Sequence, residues 1–291
     1  MTGSSLPLVE PFRKALVSQV RGLFNDQSRG ERPVQRSDQG LFPVKSVIRR
    51  VHGDVTTMMV GGIAALCCQM LHPAALAGIW DHSTFRQDMP GRLRRTARFI
   101  SETTFGDCAT AEKAIDRVKH IHGHVSGTVK DGRPYSANDP HLLAWVHVSE
   151  AICFLDAWRR YGEPGMSLTD QDAYFAQFAE IALALGADPV PRTRAEAEAM
   201  IRQFQPELVR DARTREVVDR VLTQPPASLG AAPFHHLTIQ AAIDLLPPWA
   251  KRLHGLDGPR VTRPAVRLST HMLAGTLRWA FDGERQTQGG K

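Results

Sequence analysis

The chain has 291 residues, 42% hydrophobic and 23% charged, which supplies enough apolar material for one large core and argues against a disordered polymer. Thirty-six Lys and Arg against 30 Asp and Glu leave a formal +6, but the basic residues are dispersed through stretches such as "RLRRTARF" and "PWAKRL". With neither a basic block nor a base-reading motif, dedicated nucleic-acid binding is disfavoured.

Four cysteines, Cys67, Cys68, Cys108 and Cys153, show no CxxC spacing, so a reducing compartment fits better than a disulfide framework. The N-terminus "MTGSSLPLVEPFRKALVSQV" lacks the charged, apolar and small-residue order of an export signal. The expectation is a cytoplasmic protein. Residues 1–45 read as polar and irregular apart from a short helix over Val9–Phe24.

Next comes "VTTMMVGGIAALCCQMLHPAALAGIW", Val55 to Trp80. Its polar residues and Pro73 interrupt the ~18 apolar residues that a span needs, so it reads as a helix buried by other helices. Pro90 and Gly106 bracket a helix over about Gly91–Phe105, and a second runs from about Thr110 to Val125, stopping near Gly127. Asp139-Pro140 opens a third, which reaches Gly162. Thr169 with Asp172, and Thr193 with Glu196, have the spacing of capping pairs for two more. Further helices are expected over about Pro206–Leu222, Phe234–Leu245 and Pro264–Phe281. No long alternating pattern appears, so the fold class is all-α. The expected organisation is an irregular extension over 1–45, one helical domain over 46–282 and a flexible tail over 283–291.

The second of these helices ends in "KHIHGHVSG", with histidines at 120, 122 and 124. They could form a metal site, one cofactor ligand with two bystanders, or three unrelated residues. Successive steps of two turn a helix by about 200°, so His120 and His124 share a face while His122 points elsewhere. His122 falls in the apolar stripe of Ala111, Ala114, Ile115, Val118, Ile121 and Val125. The expectation is one buried imidazole and two exposed ones. A buried imidazole is either a hydrogen-bonded core residue or a haem ligand whose second nitrogen is oriented by an acceptor.

In "RLRRTARFISETTFG", Arg92, Arg95, Thr96, Phe99 and Thr103 share a face beside the apolar seam of Leu93, Ala97, Ile100 and Thr104. This is either a solvated basic face or a polar cluster on the rim of an apolar cavity, suited to bound oxygen or anionic cofactor groups. His147 and Glu150 lie three apart in "WVHVSE", but the order is reversed from the di-iron Glu-x-x-His motif and has no second copy. A di-iron site is disfavoured.

Taken together, "HPAALAGIWDHSTF", "RLRRTARFISETTFG", "AIDRVKHIHGHVSG", "YSANDPHLLAWVHVSEAICFLDAW" and "DAYFAQFAEIALALG" resemble the family of latex-clearing rubber oxygenases and the fungal mycophenolic-acid side-chain-cleaving oxygenase. The resemblance covers about Val47 to Pro191 well, and more loosely the helices to Phe281. It implies a globin-like helical core around one haem b. The family's axial histidine sits in a Val-x-x-x-His-x-x-Val pattern, here Val118, His122 and Val125. An arginine, a lysine and a threonine around its distal pocket match Arg92, Arg95 and Thr96, with arginine replacing the lysine. Arginine cannot shed its proton to ligate iron. No acid stands in Leu71–Trp80, where rubber cleavers carry a catalytic carboxylate, so rubber is a poor candidate substrate.

The resulting expectation is a haem b oxygenase that uses dioxygen or peroxide on an apolar, unsaturated, prenyl-like small molecule, with oxidative C=C cleavage as one outcome. His122 would bind iron, Arg92 and Thr96 would contact haem or distal oxygen, and Arg95 would polarise the distal side. A haem sensor without turnover, or a cofactor-free helical lipid- or terpene-binding protein, would share the same helices.

Overall fold

The computed structural model describes residues 9–24, 30–226, 228–258 and 260–288. Among them are thirteen α-helices and one two-stranded sheet, so the protein is all-α as expected. The first helix, α1 (Val9–Phe24), has the expected bounds. It is followed by α2 (Val47–His52), α3 (Val55–Gln69), α4 (Pro73–His82), α5 (Met89–Phe105) and α6 (Cys108–His122). A small hairpin of β1 (Ser126–Thr128) and β2 (Pro134–Ser136) leads into α7 (Pro140–Tyr161) and α8 (Leu168–Leu185). The chain continues through α9 (Arg194–Phe204), α10 (Ala212–Leu222), α11 (Ala232–Leu245), α12 (Pro248–His254) and α13 (Arg263–Gln288).

Helix starts are written in the sequence by short polar caps. Asp54, Asp88, Asp107, Asp139, Ser167, Thr193 and Asp211 each accept from a backbone N–H three residues on. Each such cap contributes about 1 kcal/mol. They also correct several expected boundaries. Ser167, rather than Thr169, opens α8. Asp107 opens α6 three residues earlier than Thr110. Asp211 forms a reciprocal capping box with Thr214, which starts α10 at Ala212; the turn at Gln205–Glu207 before it is a separate 3-10 segment. Glu196 does reach back at α9, but to the Arg192 N–H.

The long apolar segment is not one helix. Pro73 cannot donate to a preceding turn, and the chain breaks there, so α3 and α4 are bent by 103°. Among the described residues no single helix is long and apolar enough to cross a membrane, and only this bent pair passes that test jointly.

Buried α3 packs along α7 at the centre of the main core. Gly61 permits the approach: a Cβ there would sit 2.8 Å from Phe154 Cδ1 and 2.9 Å from the Cys153 carbonyl oxygen. This contact gives α7 two working faces. His147, Glu150, Ala151 and Phe154 repeat at three- and four-residue steps on one side, while Ser149, Ile152, Cys153 and Asp156 lie on the other. The second face borders a cavity of about 280 Å³ with Cys68, Arg194 and Trp249 also in its wall. Cys67, Cys68 and Cys153 are buried free thiols; Cys108 is exposed.

Candidate functional site

Two residues separate α5 from α6, so they form an antiparallel hairpin and pack side by side. Arg92 lies thirteen residues before the end of α5 and His122 fourteen after the start of α6. At 1.5 Å per residue both stand about 20 Å from the connection, at the same open end of the hairpin. The α4 helix and the β-hairpin close that end: Val125, just past α6, packs with Ala77 and Tyr135 in a small separate apolar cluster. The expected stripe on α6 is therefore shorter than the sequence implies. Ala111, Ala114 and Ile115 are buried, but Ile121 is 53% exposed and Val125 lies beyond the helix.

His122 is half-buried, whereas His120 and His124 are exposed, their rings edge-to-face at 4.9 Å and the His124 Nδ1 within 2.9 Å of the His120 carbonyl oxygen. The His122 imidazole makes no hydrogen bond among the described residues. Its Nδ1 is buried without a partner, which leaves Nε2 as the nitrogen with accessible surface. Desolvation by its surroundings lowers the ring's pKa, so the neutral form, the one able to ligate, prevails at neutral pH. The acceptor expected to orient a second-shell nitrogen is not found among the described contacts.

On α5, Arg92 and Phe99 are half-buried and Thr103 is buried, its hydroxyl donating to the Phe99 carbonyl oxygen at 2.9 Å. Arg95 and Thr96 are exposed. Arg95 pairs loosely with Asp88 at 3.6 Å, and the Thr96 hydroxyl reaches the Arg92 carbonyl oxygen at 3.4 Å. Arg92 is thus the least exposed of the three.

The acidic group whose charge Arg92 senses is Glu150 of α7. Each side chain keeps accessible surface, yet each is desolvated. Burial, with help from Arg95, lowers the Arg92 pKa to about 10; burial raises that of Glu150 to about 7 against the opposing pull of Arg92. Although the two charges sense each other, no ion pair within 4.0 Å and no hydrogen bond joins their side chains among the described residues, and neither contributes a buried unpartnered atom.

Behind Glu150 lies a satisfied network that the sequence did not disclose. His52 Nδ1 lies 2.9 Å from Thr104 Oγ1 and its Nε2 3.1 Å from Tyr174 Oη, inside a box of Phe154, Tyr174 and Phe178 rings. Burial lowers the His52 pKa to about 3 and that of His147 to about 4, so both rings are neutral at physiological pH. His147 packs edge-on to Phe178 at 4.8 Å with Nε2 unpartnered. Trp145 points away, toward His72 and Phe204. Among the described residues no group of three or more His, Cys, Asp or Glu is arranged to hold a metal ion by itself, and the three histidines on and after α6 do not converge.

The described residues form an all-helical domain in which Arg92 and His122 lie toward the same end of the α5–α6 hairpin. Over residues 49–279 the chain matches the family described as ER-bound oxygenase mpaB/B′/rubber oxygenase, catalytic domain, and it belongs to that family. No curated protein and no solved structure matches it. The family is one of oxygenases, so the chain carries an oxygenase catalytic domain acting on a small molecule with oxygen.

Proposed function

We propose that the protein is a haem b-dependent oxygenase of an apolar, unsaturated small molecule, with 46–282 as its catalytic unit. The observation that carries this reading is His122: an unpartnered, neutral imidazole at the open end of the α5–α6 hairpin, with Nε2 accessible, in a chain of an oxygenase family. A core histidine kept for packing is normally hydrogen-bonded. A neutral ring without a partner, on the helix end and with one nitrogen accessible, is free to take a metal of an inserted cofactor.

In this reading His122 would hold the haem iron through the accessible nitrogen. Arg92 would bind an anionic group such as a haem propionate, because its desolvated guanidinium has no carboxylate in contact. The Thr96 hydroxyl offers a hydrogen bond at the rim, and Arg95, held toward Asp88, contributes positive potential there. When bound, haem supplies an iron centre for oxygen activation. Leu93, Phe99, Ile79 and Trp80, half-buried against the core, supply apolar surface to orient a hydrocarbon chain and exclude water. Oxidative C=C cleavage of a prenyl-like chain is the proposed outcome.

The test is an absorption spectrum and pyridine haemochrome assay on protein purified from haem-replete cells. Wild type and His120→Ala are expected to show a Soret band at near-stoichiometric haem, and His122→Ala to lose it. Colourless wild-type protein would leave a helical lipid- or terpene-binding module. A Soret band unaffected in His122→Ala would assign the iron to another residue.

A further inference from the structure

On the face of α7 that carries Ser149 and Cys153, the fold encloses a space that the proposed chemistry leaves unused. We propose that this cavity between α7, α9 and α12 is a second binding site, which takes a small amphipathic anion: a short alkyl tail inside, and a carboxylate or phosphate head held at the mouth by Arg202 and Arg252. None of the residues lining it comes from α5 or α6, so it is separate from the end that carries His122, and its occupation needs no haem.

Burial is graded across the cavity. Cys68, Ser149, Cys153 and Leu245 in its wall are buried, whereas Glu198, Arg202 and Gln205 are exposed at its open side. The Ser149 hydroxyl donates to the Val146 carbonyl oxygen at 3.0 Å, and thiols are weak hydrogen-bonding groups, so the interior presents hydrocarbon-like surface. Its volume of about 280 Å³ lies at the small end for small-molecule pockets, which suits a short tail and not a long lipid. A second space of about 340 Å³ adjoins it, sharing Gln205 and Trp249 and adding Arg252 and Leu253. A tail in the first space leaves its head at the shared wall, where Arg202 borders one space and Arg252 the other.

Charge selects the head group. Two acids line the cavity, Asp156 and Glu198, and Arg194 engages both, through Nη1 at 2.9 Å and Nε at 2.8 Å. Glu198 stands four residues before Arg202 on α9, the spacing of a helical ion pair, yet it is committed to Arg194. Neither Arg202 nor Arg252 makes an ion pair or a side-chain hydrogen bond among the described residues. A single exposed arginine needs no ligand, but here two unpaired ones border one apolar opening. Guanidiniums take the oxygens of a carboxylate or phosphate in forked pairs. Burial of the tail adds the affinity that an exposed ion pair lacks.

The test uses the full chain with 13C-labelled isoleucine δ1 methyls, and octanoate and octyl phosphate as probes. Either probe should shift the methyls of Ile152 and Ile201 in the cavity wall, assigned with Ile152→Val and Ile201→Val, and leave Ile79 and Ile100 in place. The tighter of the two identifies the head group. 1-Octanol should bind about tenfold more weakly, and inorganic phosphate should shift neither methyl. Arg202→Gln and Arg252→Gln change exposed, unpaired side chains, so each should keep the wild-type melting temperature while weakening octanoate by about threefold to tenfold. Equal affinity for octanol and octanoate, or for octanoate in wild type and the double variant, overturns the anion site. Shifts at Ile79 and Ile100 in place of Ile152 and Ile201, or no shift at millimolar probe, overturn the assignment to this cavity. Failure of haem loading would sink the proposed function and change none of these outcomes.

Discussion

Arg92 of α5 and Glu150 of α7 sense each other's charge, yet no salt bridge joins them. In most proteins such a pair closes into a salt bridge, because leaving desolvated charges apart costs stability. Here the cost is retained, and it is measurable.

Glu150 has a folded pKa of about 7, raised from 4.5 chiefly by burial. Between those values the folded chain keeps a proton that the unfolded chain has lost. Stability therefore declines as pH rises through that window and levels off above it. Glu150→Gln has no proton to lose and nearly the same shape. It should match wild type near pH 5 and exceed it by about 1–3 kcal/mol at pH 8. Thermal melts at the two pH values check this. A variant less stable than wild type at pH 8 would mean that Arg92 already compensates the carboxylate.

Next to this pair, His52 is anchored at both nitrogens, by Thr104 and Tyr174. Tyr174→Phe keeps the ring that packs against Phe175 and Phe178 and removes only the hydroxyl. His52 Nε2 is then left buried with no partner, at a cost of about 1–3 kcal/mol. The melting temperature should fall by several degrees without loss of helix content in far-ultraviolet circular dichroism. An unchanged melting temperature would show that water replaces the hydroxyl.

The all-α class was legible because apolar residues recur at helical steps and because Asp, Ser and Thr stand at helix starts. Boundaries were less legible where several caps compete, as Ser167 and Thr169 do, or where Asp107 precedes Thr110. The stripe on α6 misled at its C-terminal end. Ile121 and Val125 fit the period, but the helix stops at His122 and a hairpin follows, so Val125 packs on Tyr135 instead. Periodicity cannot report where tertiary contacts end a helix. Rotation about the helix axis separated His122 from the exposed His120 and His124, but the full burial expected of His122 is not reached, because the helix ends there and the ring is only half-buried. The position of Glu150 was not legible. Its one signal was a lone carboxylate on a face otherwise formed by His147, Ala151 and Phe154, and no local pattern links it to Arg92, whose charge it senses from another helix. The His52 network joins residues 52, 104 and 174, and no local pattern links positions so far apart.

Asp244 of α11 ties together α7, α12 and α13. Its carboxylate is nearly buried and accepts from Arg267 Nε at 2.7 Å and Arg160 Nη1 at 3.1 Å, with Arg263 at 3.7 Å, while Lys251 donates to its carbonyl oxygen at 2.8 Å. Burial alone would raise its pKa, but hydrogen bonding from Arg267 and the surrounding cations outweigh it and the net shift is downward. A depressed carboxylate contributes stability that is present above the unfolded pKa and lost as pH falls through the folded one. Asp244→Asn removes the charge and leaves three guanidiniums crowded together, although their partial exposure lets water take up much of the loss. The expected cost at pH 7 is about 2 kcal/mol, shrinking as the pH drops below about 4. Denaturant unfolding of wild type and variant at pH 7 and pH 3.5 measures both. A gap that persists unchanged at the lower pH would mean that asparagine disrupts packing between α11 and α13, and that charge pairing is not what Asp244 contributes.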